Sequence, residues 1–151
     1  MVVSDLPLDA HAHPEEVRRH LVRAAEEAGR ADERTLVDEL VTRGEKNHAA
    51  VLGVGPTAWA LNRREVHRVV LAGEAHPEAR YCVACDLLLP PEDVHCPQCG
   101  ERCLRADMWA ELPAFAGRRG AGLEVVHGPA AGALEDYGGV GALLRLPAHP
   151  H

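Results

Sequence analysis

Apolar positions along this chain switch between helical and strand spacing. From Pro14 to Ala28, Val17, Leu21, Ala24 and Ala28 recur on one face, with Glu and Arg opposite, which predicts an amphipathic helix. Pro14 suits its first turn, Glu15 and Glu16 favour its N-terminal dipole, and Gly29 suits its stop. A second helix is predicted after Asp32, a good cap. It buries Leu36, Val37, Leu40 and Val41 and ends at Gly44. Ala49 to Val54 is a short apolar run without alternation, as in a strand covered on both faces. Gly55-Pro56-Thr57 turns it into a short helix carrying Trp59, Ala60 and Leu61, and Val66 to Leu71 forms the next strand. Strand, helix, strand predicts a βαβ unit with a right-handed crossover.

Further along, Met108, Leu112 and Phe115 share a helical face, but Pro113 lies between them, so that helix is expected to start near Pro113. Leu123 to Val126 predicts a third strand, Ala130 to Tyr137 a short helix stopped by Gly138-Gly139, and Val140 to Leu146 a last strand. Alternating β and α elements predict an α/β fold, a three-layer α/β/α sandwich with a mostly parallel sheet.

The strongest chemical signal is Cys82-Val83-Ala84-Cys85 followed by Cys96-Pro97-Gln98-Cys99. Two Cys-x-x-Cys knuckles at this separation bring four thiolates around one tetrahedral zinc. Such a site is closed and structural, with no position open to a substrate. One or two disulfides are the alternative; paired ribbon-like spacing and the lack of a secretory pattern favour zinc. Cys103 reads as a spare small apolar residue. The intervening loop, with Pro90-Pro91, has too few apolar residues to fold without metal. The ribbon is therefore expected as an insertion whose loss, as in Cys96→Ser, loosens residues 81 to 103 and spares the α/β body.

Domain boundaries follow: residues 1–13 as a flexible N-terminus, 14–30 as an N-terminal helix, 31–147 as the α/β domain with 80–104 as its inserted zinc ribbon, and 148–151 as a tail. Two His-x-His segments invite a metal reading. Asp9-Ala10-His11-Ala12-His13 matches the entry motif of amidohydrolase barrels, but the ~250 residues typical of a barrel exceed this chain. His149-Pro150-His151 reads as tail. His48 and His67 have no partner ligand at a recognisable spacing.

Composition narrows the function. The chain has 151 residues, 46% of them apolar but few aromatic, so Val, Leu and Ala must build the core. A net charge of −7 and a pI near 5.8 argue against broad nucleic-acid binding. No run is long enough for a membrane span, and the N-terminus lacks a signal-peptide pattern, so a cytoplasmic location is expected. No nucleophile–base pair, phosphate-binding loop or open metal site is visible; Asp107 and Glu135 are isolated acids. An enzyme is not expected.

The residues also resemble a known family. Tyr137-Gly-Gly-Val-Gly-Ala-Leu-Leu-Arg-Leu146 resembles the Gly-Gly-Ile-Gly-Gly-Ile-Leu-Arg-Tyr motif that closes archaeo-eukaryotic class-1 peptide chain release factors. Gly122 to Val126 is similar to the strand before it, and Val51 to Leu71 to the domain's opening unit. Relatives carry a Cys-x-x-Cys…Cys-x-x-Cys minidomain at the same place in the order. The resemblance spans Thr35 to Leu146. It implies the third, C-terminal domain of such a factor, a fold shared with Pelota and with kink-turn-binding ribosomal proteins. It further implies docking on a translational GTPase or the ribosome, in translation termination or ribosome rescue. The Gly-Gly-Gln of peptidyl-tRNA hydrolysis is absent, since Gly138-Gly139 is followed by Val140.

Partner contacts are expected from the ribbon loop Leu87 to Val94, with Asp86, Glu92 and Asp93 facing a basic partner, and from Gly138, Gly139 and Gly141. The glycines also suit a helix stop and tight turn. Two alternatives stand beside this reading. Kink-turn RNA binding would use the start of the helix after the first strand, where Gly55-Pro56-Thr57-Ala58 lacks the family's Asn, Glu and Lys. A small enzyme of unknown reaction is the other.

Overall fold

A computed structural model describes residues 32–145. The helix expected from Pro14 to Ala28, the Asp9 to His13 segment and the tail at His149 to His151 lie outside the described residues. The first described helix, α1, covers 32–45. It buries Val37 and Leu40, with Leu36 and Val41 half-covered beside them. The elements β1 (Ala50–Leu52), α2 (Val54–Asn62) and β2 (Val66–Ala72) come next. They are followed by β3 (Glu78–Cys82), β4 (Leu87–Leu89), β5 (Leu104–Asp107) and α3 (Met108–Arg118). The chain then forms β6 (Gly122–Val126), α4 (Gly128–Glu135) and β7 (Val140–Leu144).

Four strands form the main sheet in the order β1-β7-β2-β6. The expected mostly parallel pairing is corrected here. Only β2–β6 is parallel, while β7 runs antiparallel to both β1 and β2. Because β1 and β2 each oppose β7, they point the same way, so the βαβ unit exists but is split by the last strand. An apolar run buried on both faces looks alike in either direction, so the local pattern cannot specify its neighbours. What lets β7 enter is Gly141, opposite Leu52 on one side and Val70 on the other. A Cβ there would sit 2.9 Å from the Val51 carbonyl oxygen and 2.9 Å from Leu40 Cδ2. Gly141→Ala is therefore expected to destabilise the chain by about 1–3 kcal/mol, measurable as a lower denaturant midpoint.

Helices cover both faces, as a three-layer sandwich requires. On β2, Val69 and Leu71 join Ala58, Leu61, Met108, Leu112 and Phe115 under α2 and α3. Their neighbours Val70 and Ala72 join Val37, Leu40, Val126, Ala131 and Leu134 under α1 and α4. This is the alternation of a strand buried on both sides.

Helix α3 starts earlier than its proline suggests. It runs through Pro113 because the Asp107 side chain accepts the Trp109 N–H at 2.9 Å, capping the first turn. Pro113 is exposed while Met108, Leu112, Phe115 and Ala116 are buried. That apolar stripe outweighs a proline cost of roughly 3 kcal/mol.

A second, three-stranded antiparallel sheet, ordered β4-β3-β5, carries the cysteines. Its inner face is continuous with the body, since Ala79, Leu88 and Ala106 belong to the same core as Leu61 and Phe115. Asn62, the last residue of α2, secures the attachment. Its amide donates to the Leu88 carbonyl at 2.7 Å and accepts the Leu88 N–H at 2.9 Å. Within the loop expected to supply partner contacts, residues 87–94, Leu88, Leu89 and Pro90 are buried.

Candidate metal centre

The cysteines are set by two knuckles at one end of the small sheet. Cys82 ends β3, and the chain turns at once, with the Asp86 N–H donating to the Cys82 carbonyl at 2.8 Å. The Cys85 N–H points back at Cys82 Sγ, 3.4 Å away. The second knuckle repeats the device. The Gln98 N–H donates to Cys96 Sγ at 3.4 Å and the Gly100 N–H to the Cys96 carbonyl at 2.8 Å. Gly100 has φ 82°, the left-handed turn its position needs. Arg80 braces the strands between the knuckles, donating to the carbonyls of Pro91 at 3.2 Å and Cys103 at 3.4 Å.

The four sulfurs of Cys82, Cys85, Cys96 and Cys99 all lie within 4.8 Å of one another. Cys82 to Cys99 is 3.6 Å and Cys85 to Cys96 is 4.0 Å. Thiolates about 2.3 Å from a tetrahedral zinc would be about 3.8 Å apart, so these spacings fit a metal-holding tetrahedron. None of the five cysteines is in a disulfide. Hydrogen bonding to Cys99, then burial, push the Cys85 thiol up to about 12. At Cys96 burial acts upward, but N–H groups of Cys99 and Gln98 help bring the thiol down to about 7. Four thiols this close cannot all ionise without a cation to offset their charge, and a soft, all-sulfur donor set suits zinc or iron–sulfur chemistry.

Cys103 is buried in the cluster formed by Cys82, Cys96 and Leu89, with Trp59 and Leu87 against it. It stands outside the four-sulfur group and fills space, in keeping with the spare-residue reading. Trp59 and Asn62, both on α2, hold the ribbon in place, yet nothing in the spacing of the sequence marks them.

The expected contact residues separate into different groups. Asp86 is tied to Tyr81, Arg118 and Arg119, so its charge is already answered within the chain. Glu92 is exposed and Asp93 half-buried. Gly138 is exposed with φ 94°, as a turn requires. Gly139 and Gly141 are buried within the chain, and Gly139, at φ 81°, packs where a Cβ would lie 2.8 Å from Ala75 Cβ. The start of α2, where RNA would be bound in the alternative reading, is partly covered, with Gly55 against Pro90 of the ribbon and Thr57 buried. His48 and His67 are exposed and apart from the cysteine cluster. Glu135 is exposed, while Asp107 caps α3 and meets His76 Nδ1 at 2.9 Å. No helix among the described residues is long and apolar enough to cross a membrane.

No protein-family model matches the chain, and no curated protein matches it in sequence. Solved structures do share its fold. The C-terminal domain of a peptide chain release factor from Methanosarcina mazei superposes with a TM-score of 0.60 at 16% identity. That match covers 91% of this chain and 98% of the other. Pelota from Archaeoglobus fulgidus superposes with a TM-score of 0.56, also at 16% identity, over 90% of this chain. The chain spans 36% of the Pelota structure's length. At these identities the likeness establishes the fold.

Proposed function

We propose that this chain is a non-catalytic partner-binding module of translation termination or ribosome rescue, built around one structural zinc. It docks on a translational GTPase or on the ribosome. The observation that carries this reading is the end-to-end likeness to the release-factor domain, which covers 98% of that domain. Zinc is held by Cys82, Cys85, Cys96 and Cys99, whose sulfur geometry suits a closed four-thiolate site. In such a site the metal orders the ribbon and offers no coordination position for a substrate. The surface left for a partner is the outer half of the ribbon loop, around Glu92 and Asp93, together with Gly138 at the exposed turn before β7. Asp86, half-exposed and paired with Arg118 and Arg119, belongs to the support of that surface.

Sedimentation of the tagged full chain with ribosomes, from lysate and with purified components, tests the reading. Association with purified ribosomes supports direct ribosome docking. Association in lysate alone, restored to purified ribosomes by a translational GTPase, supports docking through that GTPase. A chain that stays at the top of the gradient in every condition overturns the translation role. It would leave the fold and the metal centre in place.

A further inference from the structure

Asp86 joins the metal-bearing end of the ribbon to the far end of helix α3. It immediately follows Cys85, and its φ of 55° places a non-glycine residue in the left-handed region. Its N–H closes the first knuckle on the Cys82 carbonyl at 2.8 Å. The carboxylate accepts from the Tyr81 hydroxyl, from Arg118 Nη2 at 3.0 Å and from Arg119 Nη2 at 3.3 Å. Its carbonyl oxygen accepts from Arg119 as well. Arg118 and Arg119 stand at the C-terminus of α3, and their guanidinium groups lie 5.2 and 4.7 Å from the centre of the Phe115 ring. The Arg119 side chain is only 10% exposed, and Asp86 is its one carboxylate partner among the described residues. The enclosed guanidinium loses its carboxylate counter-charge if Asp86 is neutralised, although the Asp86 side chain itself is 42% exposed.

We propose that Asp86 is a positioning residue for the metal centre, coupling metal occupancy to the seating of Arg119 on α3. This rests on the four-cysteine metal reading. The backbone of Asp86 shapes the knuckle that presents Cys82 and Cys85, while its side chain is held by α3. Metal binding therefore fixes the carboxylate for Arg119, and a seated Arg119 holds the first knuckle in its ligating shape. Two sites that share one strained residue stabilise each other reciprocally.

The test uses the full chain and measures zinc affinity by competition with a chromophoric chelator. Wild type is compared with Asp86→Asn, Arg119→Gln and the double variant. Asn keeps the size of Asp and tolerates a positive φ, so the substitution isolates the carboxylate. Each single change is expected to weaken zinc binding about tenfold, and the double change no further than either one, the non-additivity of a shared interaction. Amide exchange at residues 115–120 is expected to rise on zinc removal in wild type and to be insensitive to zinc in Asp86→Asn. Should Arg119→Gln fail to fold, Arg118→Gln, with its half-exposed side chain, supplies the α3 arm. Unchanged affinity in the single variants, or additive losses in the double, overturns the coupling while leaving the metal site intact. A wild-type chain that takes up no zinc overturns the metal reading and the coupling with it.

Discussion

Removing the metal by chelation, or one ligand by Cys96→Ser, is expected to open residues 82–103 and to lower the melting temperature of the whole chain. Structural zinc contributes about 10–16 kcal/mol of apparent binding free energy in finger peptides near neutral pH. A domain of ordinary size has only about 5–15 kcal/mol of net stability. The metal term is therefore large enough to reach beyond the knuckles if the two parts share a core. They do, through Leu88, Ala79 and Ala106. The neighbouring cluster of Cys82, Cys96, Cys103 and Leu89 has little apolar surface of its own, so it opens first and uncovers Leu88. A loss of a few kcal/mol transmitted to the body corresponds to a fall of about 10 °C at roughly 2–4 °C per kcal/mol. The body itself, with Val69, Leu71, Met108 and Leu112 still packed, is expected to remain folded at room temperature. Circular-dichroism melting with and without chelator measures the fall, and amide exchange locates the opening. Because thiolates are the ligands, acid acts in the same direction as chelator: protons compete with the metal as pH falls.

Phe115→Ala is expected to cost about 3–5 kcal/mol, the range for truncating a buried aromatic ring. Phe115 is the chain's sole phenylalanine and is 2% exposed. It fills the space between α3, the main sheet and the ribbon. Tyr81 of β3 meets it edge-on, with ring centroids 6.4 Å apart at 85°, and Arg118 and Arg119 lie over its face. Its loss leaves a cavity where the ribbon joins the body and removes the surface on which both guanidiniums rest. Phe115→Leu restores most of the volume but not the ring face, so it is expected to cost clearly less. The difference between the two variants separates packing from the cation–ring contacts. Chemical denaturation of both reads the two midpoints directly.

Which parts of this were legible in the sequence follows from how local each cause is. The four-cysteine cluster was legible because each knuckle is a four-residue device, and thiols three apart announce it without reference to the rest of the chain. The helices over 32–45 and at Val54–Asn62 were legible from apolar spacing and turn residues. Pairing order was not. The insertion of β7 between β1 and β2 depends on Gly141 fitting under Leu40 and against Val51, contacts between residues about 90 to 100 apart. The ribbon strands escaped notice for another reason. Glu78–Cys82 and Leu104–Asp107 are short and rich in charge, and their regularity comes from pairing with each other. Pro113 misled because its local cost is visible while the Asp107 cap and the buried stripe that outweigh it emerge only in three dimensions. Asp86 reads in the sequence as a loop acid facing a partner, since nothing nearby signals that Arg118 and Arg119 reach it from over thirty residues away.

Native mass spectrometry of the purified full chain, with Cys96→Ser beside it, tests most directly that the protein is organised around a closed metal centre. One zinc per wild-type chain, seen as a mass increase of one zinc less two protons at each charge state, and none in Cys96→Ser is the expected result. A folded wild-type chain carrying no metal, with a melting temperature indifferent to chelator, would contradict it.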